Sequence, residues 1–162
     1  MARTFRRIRT ASCTEGGLPW ARVAYTLRRM ASIRKQVHID APVAKVWEAL
    51  RDVGALHTRL APGFVTDTKM DGNARMVTFG NGQVAREEIV SVDDSLRRVA
   101  WAILDAPFEH YSGCAWVEPE VGGARFLWTA DLLPDEMAER VDAMMSAGIQ
   151  VIKKTLERPG KA

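Results

Sequence analysis

The chain has 162 residues and a mass of 18.0 kDa; 47% of its residues are hydrophobic and 27% charged, the formal net charge is +3 and the sequence pI is near 9.1. That apolar share suits one compact domain with a real core and excludes a wholly disordered, collagen-like or disulfide-scaffold chain. The basic balance is local: residues 1–29 carry seven arginines against the single acid Glu15, a net +6, whereas residues 30–162 sum to −3. A nucleic-acid partner would have to be argued from that first segment alone, and none is expected for the rest.

Through Gly17 the arginine-rich segment has no apolar periodicity and cannot offset its ordering entropy. Three readings of 1–29 stay open. Met30-Ala31-Ser32 opens straight into a strand, which makes the segment an upstream-start artefact; an Arg-rich, acid-poor amphipathic stretch also suits a targeting presequence; and a basic arm would touch phosphates or anionic lipid. The expected organisation is thus an extension over 1–29, one domain over 30–158 and a short tail over 159–162. Cys13 and Cys114 form no disulfide framework or paired metal spacing, and no apolar run approaches 18 residues. A cytoplasmic protein without a transmembrane segment is expected, and a homodimer is left open.

Ile33, Val37 and Ile39 alternate with Arg34, Gln36 and His38, the period of a half-buried strand. Asp40 offers a helix N-cap and Pro42 suits the first turn; Val43, Val46, Trp47 and Leu50 then recur at helical spacing. A second short helical turn follows over 52–60, closed by Ala61-Pro62-Gly63. From Phe64 onward the punctuation is that of an antiparallel meander: Asp71-Gly72, Asn81-Gly82, Asp93-Asp94 and Gly122-Gly123 separate strands expected at 64–70, 74–79, 83–92, 97–104, 109–118 and 124–132. Pro134 with Asp135 and Glu136 starts a long final helix, with Met137, Val141, Met144, Gly148, Ile152 and Thr155 as its expected apolar stripe. The fold class is α+β: a curved seven-stranded antiparallel sheet around a long C-terminal helix, with two short helices after the first strand.

Several stretches together resemble one family: Ala41-Pro42-Val43-Ala44-Lys45-Val46-Trp47-Glu48-Ala49-Leu50 after the first strand, Glu87-Glu88-Ile89-Val90-Ser91-Val92-Asp93-Asp94, Arg97-Arg98-Val99-Ala100-Trp101, His110-Tyr111 and Phe126-Leu127-Trp128-Thr129. They look like the polyketide cyclase/dehydrase branch of the START-like (SRPBCC), helix-grip superfamily, over about residues 31–157. The resemblance implies a deep, mostly apolar cavity between sheet and long helix that takes lipids, polyketides, isoprenoids or plant-hormone-like molecules. It does not by itself imply catalysis, because the fold hosts carriers, receptors and enzymes alike.

Parity assigns cavity-facing sets: Glu87, Ile89 and Ser91; Val99, Trp101 and Ile103; Tyr111, Gly113 and Ala115; Phe126, Trp128 and Ala130. By resemblance Glu87, Trp101, Tyr111 and Trp128 line the pocket, faced by Val141, Met144 and Gly148 of the long helix. A carboxylate aimed into an apolar cavity can move a proton or hold a ligand's polar end, so Glu87 and Tyr111 are the candidate catalytic residues; the competing reading makes Glu87 a solvated strand residue paired with an arginine. His110 and His38 are expected to face away from the interior and His57 to lie near the cavity entrance. The three histidines lack metal spacing, no GxSxG or HExxH occurs, and Gly80-Asn81-Gly82 is a hairpin turn rather than a phosphate loop. No metal and no cofactor are expected. The functional expectation is binding of a hydrophobic or amphipathic small molecule. A cyclase/dehydrase-type enzyme and a regulatory partner protein without ligand are the alternatives.

Overall fold

A computed structural model describes residues 29–158, so the readings of the arginine-rich segment and of the C-terminal tail fall outside the described residues. Strand β1 (Ala31–Ile39) leads into α1 (Val43–Arg51) and a π-helical turn (Leu56–Leu60). The meander follows as β2 (Val65–Asp71), β3 (Ala74–Phe79), β4 (Val84–Asp93), β5 (Arg98–Ile103), β6 (His110–Glu120) and β7 (Gly123–Leu133). A 3₁₀ turn (Asp135–Met137) then runs into α2 (Ala138–Leu156). The sheet order is β1-β7-β6-β5-β4-β3-β2, antiparallel throughout, so the first strand pairs with the last and the strands between them are ordered as the chain runs.

Local chemistry accounts for the turns. Gly72 (φ 59°) and Gly82 (φ 83°) supply the positive dihedrals that the β2–β3 and β3–β4 hairpins require. The β4–β5 turn has no glycine. There Asp93 Oδ1 accepts hydrogen bonds from the Ser95 and Leu96 N–H groups and the Ser95 hydroxyl, while Arg97 takes φ 49°. The Ser95 hydroxyl first, and then the Leu96 amide, hold the Asp93 carboxyl below its ordinary range. Asp94 accepts from the Trp47 indole N–H at 3.1 Å and from Arg51 Nη2 at 3.1 Å, tying α1 to this turn. The Asp-Asp pair and its tryptophan partner thus act as a brace between elements.

Both helices lie on the concave face. α1 buries Val46, Trp47, Ala49 and Leu50 and packs against β5, β6 and β7. Its N-terminus differs from expectation: Pro42 occupies the cap position and no side chain caps it. The Asp40 N–H donates to Glu157 Oε1 at 3.0 Å, and Lys153 Nζ donates to the His38 carbonyl at 2.7 Å. These bonds pin the end of α2 to the end of β1, so Asp40 serves the helix grip rather than α1. The buried stripe of α2 is Val141, Met145, Gly148, Ile149, Ile152 and Leu156. It is rotated from the expected line: Met145 is fully buried, whereas Met144 and Thr155 are half-buried.

Parity along β4 also departs from expectation. Ile89 pairs with Trp101 but Ser91 pairs with Ala100, so Val90 is extra and forms a bulge. Glu87 and Ile89 are buried, while Ser91 joins the face of Ala100 and Cys114, opposite to that of Val99 and Trp101.

Candidate functional site

The sheet's curvature and the length of α2 leave a cavity of about 680 Å³ between them. Much of its wall is buried apolar side chains from several strands, among them Val77 of β3, Val99 of β5, Ala115 of β6 and Phe126 of β7. Val141, Met144 and Ile152 close it from α2. It opens between the exposed β3–β4 hairpin (Asn81, Gln83, Val84), the β5–β6 loop (residues 105–107), Met137 of the 3₁₀ turn and Arg140 in the first turn of α2.

One buried charged pair interrupts this wall; Arg86, Asp105 and Arg140, which also line the cavity, are more exposed. Arg75 of β3 stands directly across from Glu87 of β4, with Nε and Nη2 both 2.7 Å from Glu87 Oε2. The side chains are only 5% and 9% exposed. Arg75 Nη1 also donates to the Val53 carbonyl at 3.2 Å, and the guanidinium lies 5.5 Å above the Trp101 ring. Every strong interaction open to a buried cation is present: a carboxylate, a carbonyl and a π-face. Glu87 therefore sits in the cavity wall; it is paired with an arginine, as the competing reading has it, but the pair is buried rather than solvated. Tyr111 lies nearby, its ring 4.9 Å from that of Phe108. Burial, and secondarily the charge of Glu87, push the Tyr111 phenol well above its ordinary range, so the hydroxyl keeps its proton.

Two glycines shape the cavity. Gly113 of β6 faces Trp101 across the sheet, and a Cβ there would fall 2.3 Å from Trp101 Cε2. The indole packs against this bare backbone, and its N–H has no hydrogen-bond partner. On α2, a Cβ at Gly148 would meet Phe64 at 2.9 Å and Trp128 at 3.1 Å. Gly148 thus makes room for two aromatic rings at the helix–sheet contact and does not line the cavity.

The structure brings Glu87, Trp101, Tyr111, Trp128, Val141 and Met144 together around one cavity. Arg75, which the sequence reading passed over, completes the polar corner. Its signal was present, because Arg75 and Glu87 lie six positions either side of Asn81, the centre of the predicted hairpin. His110 is exposed, and His38 bonds Glu120 at 2.8 Å on the outer face. His57 is half-buried beside the cavity rather than on its wall, with Nδ1 unpartnered. Cys114 is half-buried and burial pushes its thiol up. Among the described residues no group of three or more His, Cys, Asp or Glu side chains is placed to hold a metal ion, and no helix is long and apolar enough to cross a membrane.

Residues 30–157 match the family described as polyketide cyclase/dehydrase and lipid transport. The chain belongs to this family. Its architecture is the START-like helix grip. Among solved structures it is similar to an uncharacterized protein from Bacillus thuringiensis, with a TM-score of 0.70 at 16% identity over 79% of this chain and 100% of the other. A protein from Thermobifida fusca gives 0.64 at 24% identity over 77% and 92% of the two chains. Ara h 8.0201 gives 0.62 at 17% identity over 79% and 98%. At these identities the likeness is one of fold. No curated protein matches the sequence.

Proposed function

We propose that this family member binds a hydrophobic or amphipathic small molecule in the cavity between sheet and α2. The observation that carries the reading is the cavity itself. About 680 Å³ lies within the roughly 300–1,000 Å³ typical of small-molecule sites, and its lining is mostly apolar. A protein acting only through its surface would have no need to leave such a volume unfilled by its own side chains. The family's lipid transport members support the same reading. The test is native mass spectrometry of the full chain for a bound small molecule, repeated on Ala115→Phe. Ala115 is 2% exposed and lines the cavity, so the larger ring takes up space that a ligand would occupy. Loss of the adduct in a variant with unchanged circular dichroism is the expected result; an adduct retained undiminished would place the ligand elsewhere.

A second reading, cyclase or dehydrase chemistry, is favoured by one feature: the Glu87 carboxylate and the Tyr111 hydroxyl share a wall of the same cavity. Recovery of a bound ligand chemically changed after incubation would move the reading from carriage to catalysis.

A further inference from the structure

The polar corner has a definite charge balance and hydrogen-bonding capacity. Both short contacts from Arg75 fall on a single oxygen of Glu87, Oε2, which leaves Oε1 outside the pairing. A third guanidinium nitrogen is held by the Val53 carbonyl, and the cation's face rests on Trp101. Arg75 is therefore compensated, and the corner carries no net charge to attract an anion. What it offers is a carboxylate oxygen able to accept, and beside it the protonated hydroxyl of Tyr111.

Resting on the small-molecule reading above, we propose that the cavity selects ligands whose polar end is an uncharged hydroxyl, an alcohol or phenol, over carboxylic acids of the same skeleton. A ligand hydroxyl donates to Glu87 Oε1 in a charge-assisted bond, roughly twice as strong as a neutral one, and its lone pairs accept from Tyr111. To reach this corner a carboxylate would leave its hydration shell, and pass the more exposed Arg86 and Arg140 of the lining. There it would meet the like charge of Glu87 and an arginine already satisfied. An ester presents an acceptor to Tyr111 but nothing to Glu87.

The experiment is calorimetric titration of the full chain at neutral pH with three probes sharing one ten-carbon chain: 1-decanol, methyl decanoate and decanoate. Decanol is expected to bind about tenfold or more tighter than either of the others, the ratio one charge-assisted hydrogen bond supplies. Glu87→Gln keeps the shape but leaves Arg75 uncompensated, and is expected to reverse the order so that decanoate binds ahead of decanol. Methyl decanoate or decanoate binding the wild-type chain as tightly as decanol would overturn the selectivity while leaving the cavity reading in place. Failure of all three to bind would overturn the cavity reading, and the selectivity with it.

Discussion

The Arg75–Glu87 pair makes a stability prediction of unusual size for two residues on adjacent strands. With side chains 5% and 9% exposed, both ions have lost most of their hydration and depend on each other. Arg75→Met alone strands a carboxylate in the cavity wall, and Glu87→Leu alone strands a guanidinium. Each is expected to cost about 3–5 kcal/mol, the range for breaking a buried pair by removing one partner. The double variant removes both desolvation penalties. What it loses is the 3.2 Å bond to the Val53 carbonyl and the stacking on Trp101, about 1–2 kcal/mol together. The assay is urea unfolding of the wild type and the three variants at matched slopes. With a slope of about 2 kcal/mol per molar, each single variant shifts the midpoint down by about 2 M and the double by less than about 1 M. The reasoning fails if the double variant loses the sum of the two singles, or if each single costs under about 1 kcal/mol as an exposed pair would.

Gly113→Ala is expected to cost about 1–3 kcal/mol by overpacking, because its Cβ would sit 2.3 Å from Trp101 Cε2 and 2.5 Å from Nε1. The ring has to tilt into the cavity, so urea unfolding should show the loss and ligand affinity should fall with it; unchanged values for both would mean that Trp101 is free to move. Tyr111 sets an alkaline limit. Its folded-state proton is held above the ordinary value of 10.0 by burial and then by Glu87. The native state therefore keeps a proton that the unfolded chain gives up. The contribution is fully present below pH 10 and is lost as pH rises beyond it. Tyr111→Phe removes this term, so the variant should gain on the wild type by about 1.4 kcal/mol at about pH 11. Parallel stability curves for the two proteins between pH 9 and 11 would refute the assignment.

Most of the architecture was legible because it rests on local periodicities. Hairpins at Asp71-Gly72 and Asn81-Gly82 require positive φ, and the alternation of Ile33, Val37 and Ile39 carries β1. What sequence reading missed depends on partners distant in the chain. The bulge at Val90 appears only when β4 is laid against β5, and it turned Ser91 to the opposite face. The line through Met144 and the line through Met145 both satisfy helical spacing, and only the curvature of the sheet decides that Met145 is buried and Met144 meets the cavity. Asp40 has the chemistry of an N-cap, yet its amide is taken by Glu157 from the far end of the chain.

Arg75 illustrates the physical reason most clearly. A strand arginine in isolation reads as solvated, since burying an unpaired guanidinium costs far more than any strand propensity returns. The burial becomes affordable only through the hairpin register that places Glu87 directly opposite, the carbonyl of Val53 and the face of Trp101. The same tryptophan has its place only because Gly113 has no side chain, and it lines the cavity. The polar corner and the cavity therefore share their residues: Glu87 and Trp101, which compensate Arg75, also line the space beside it.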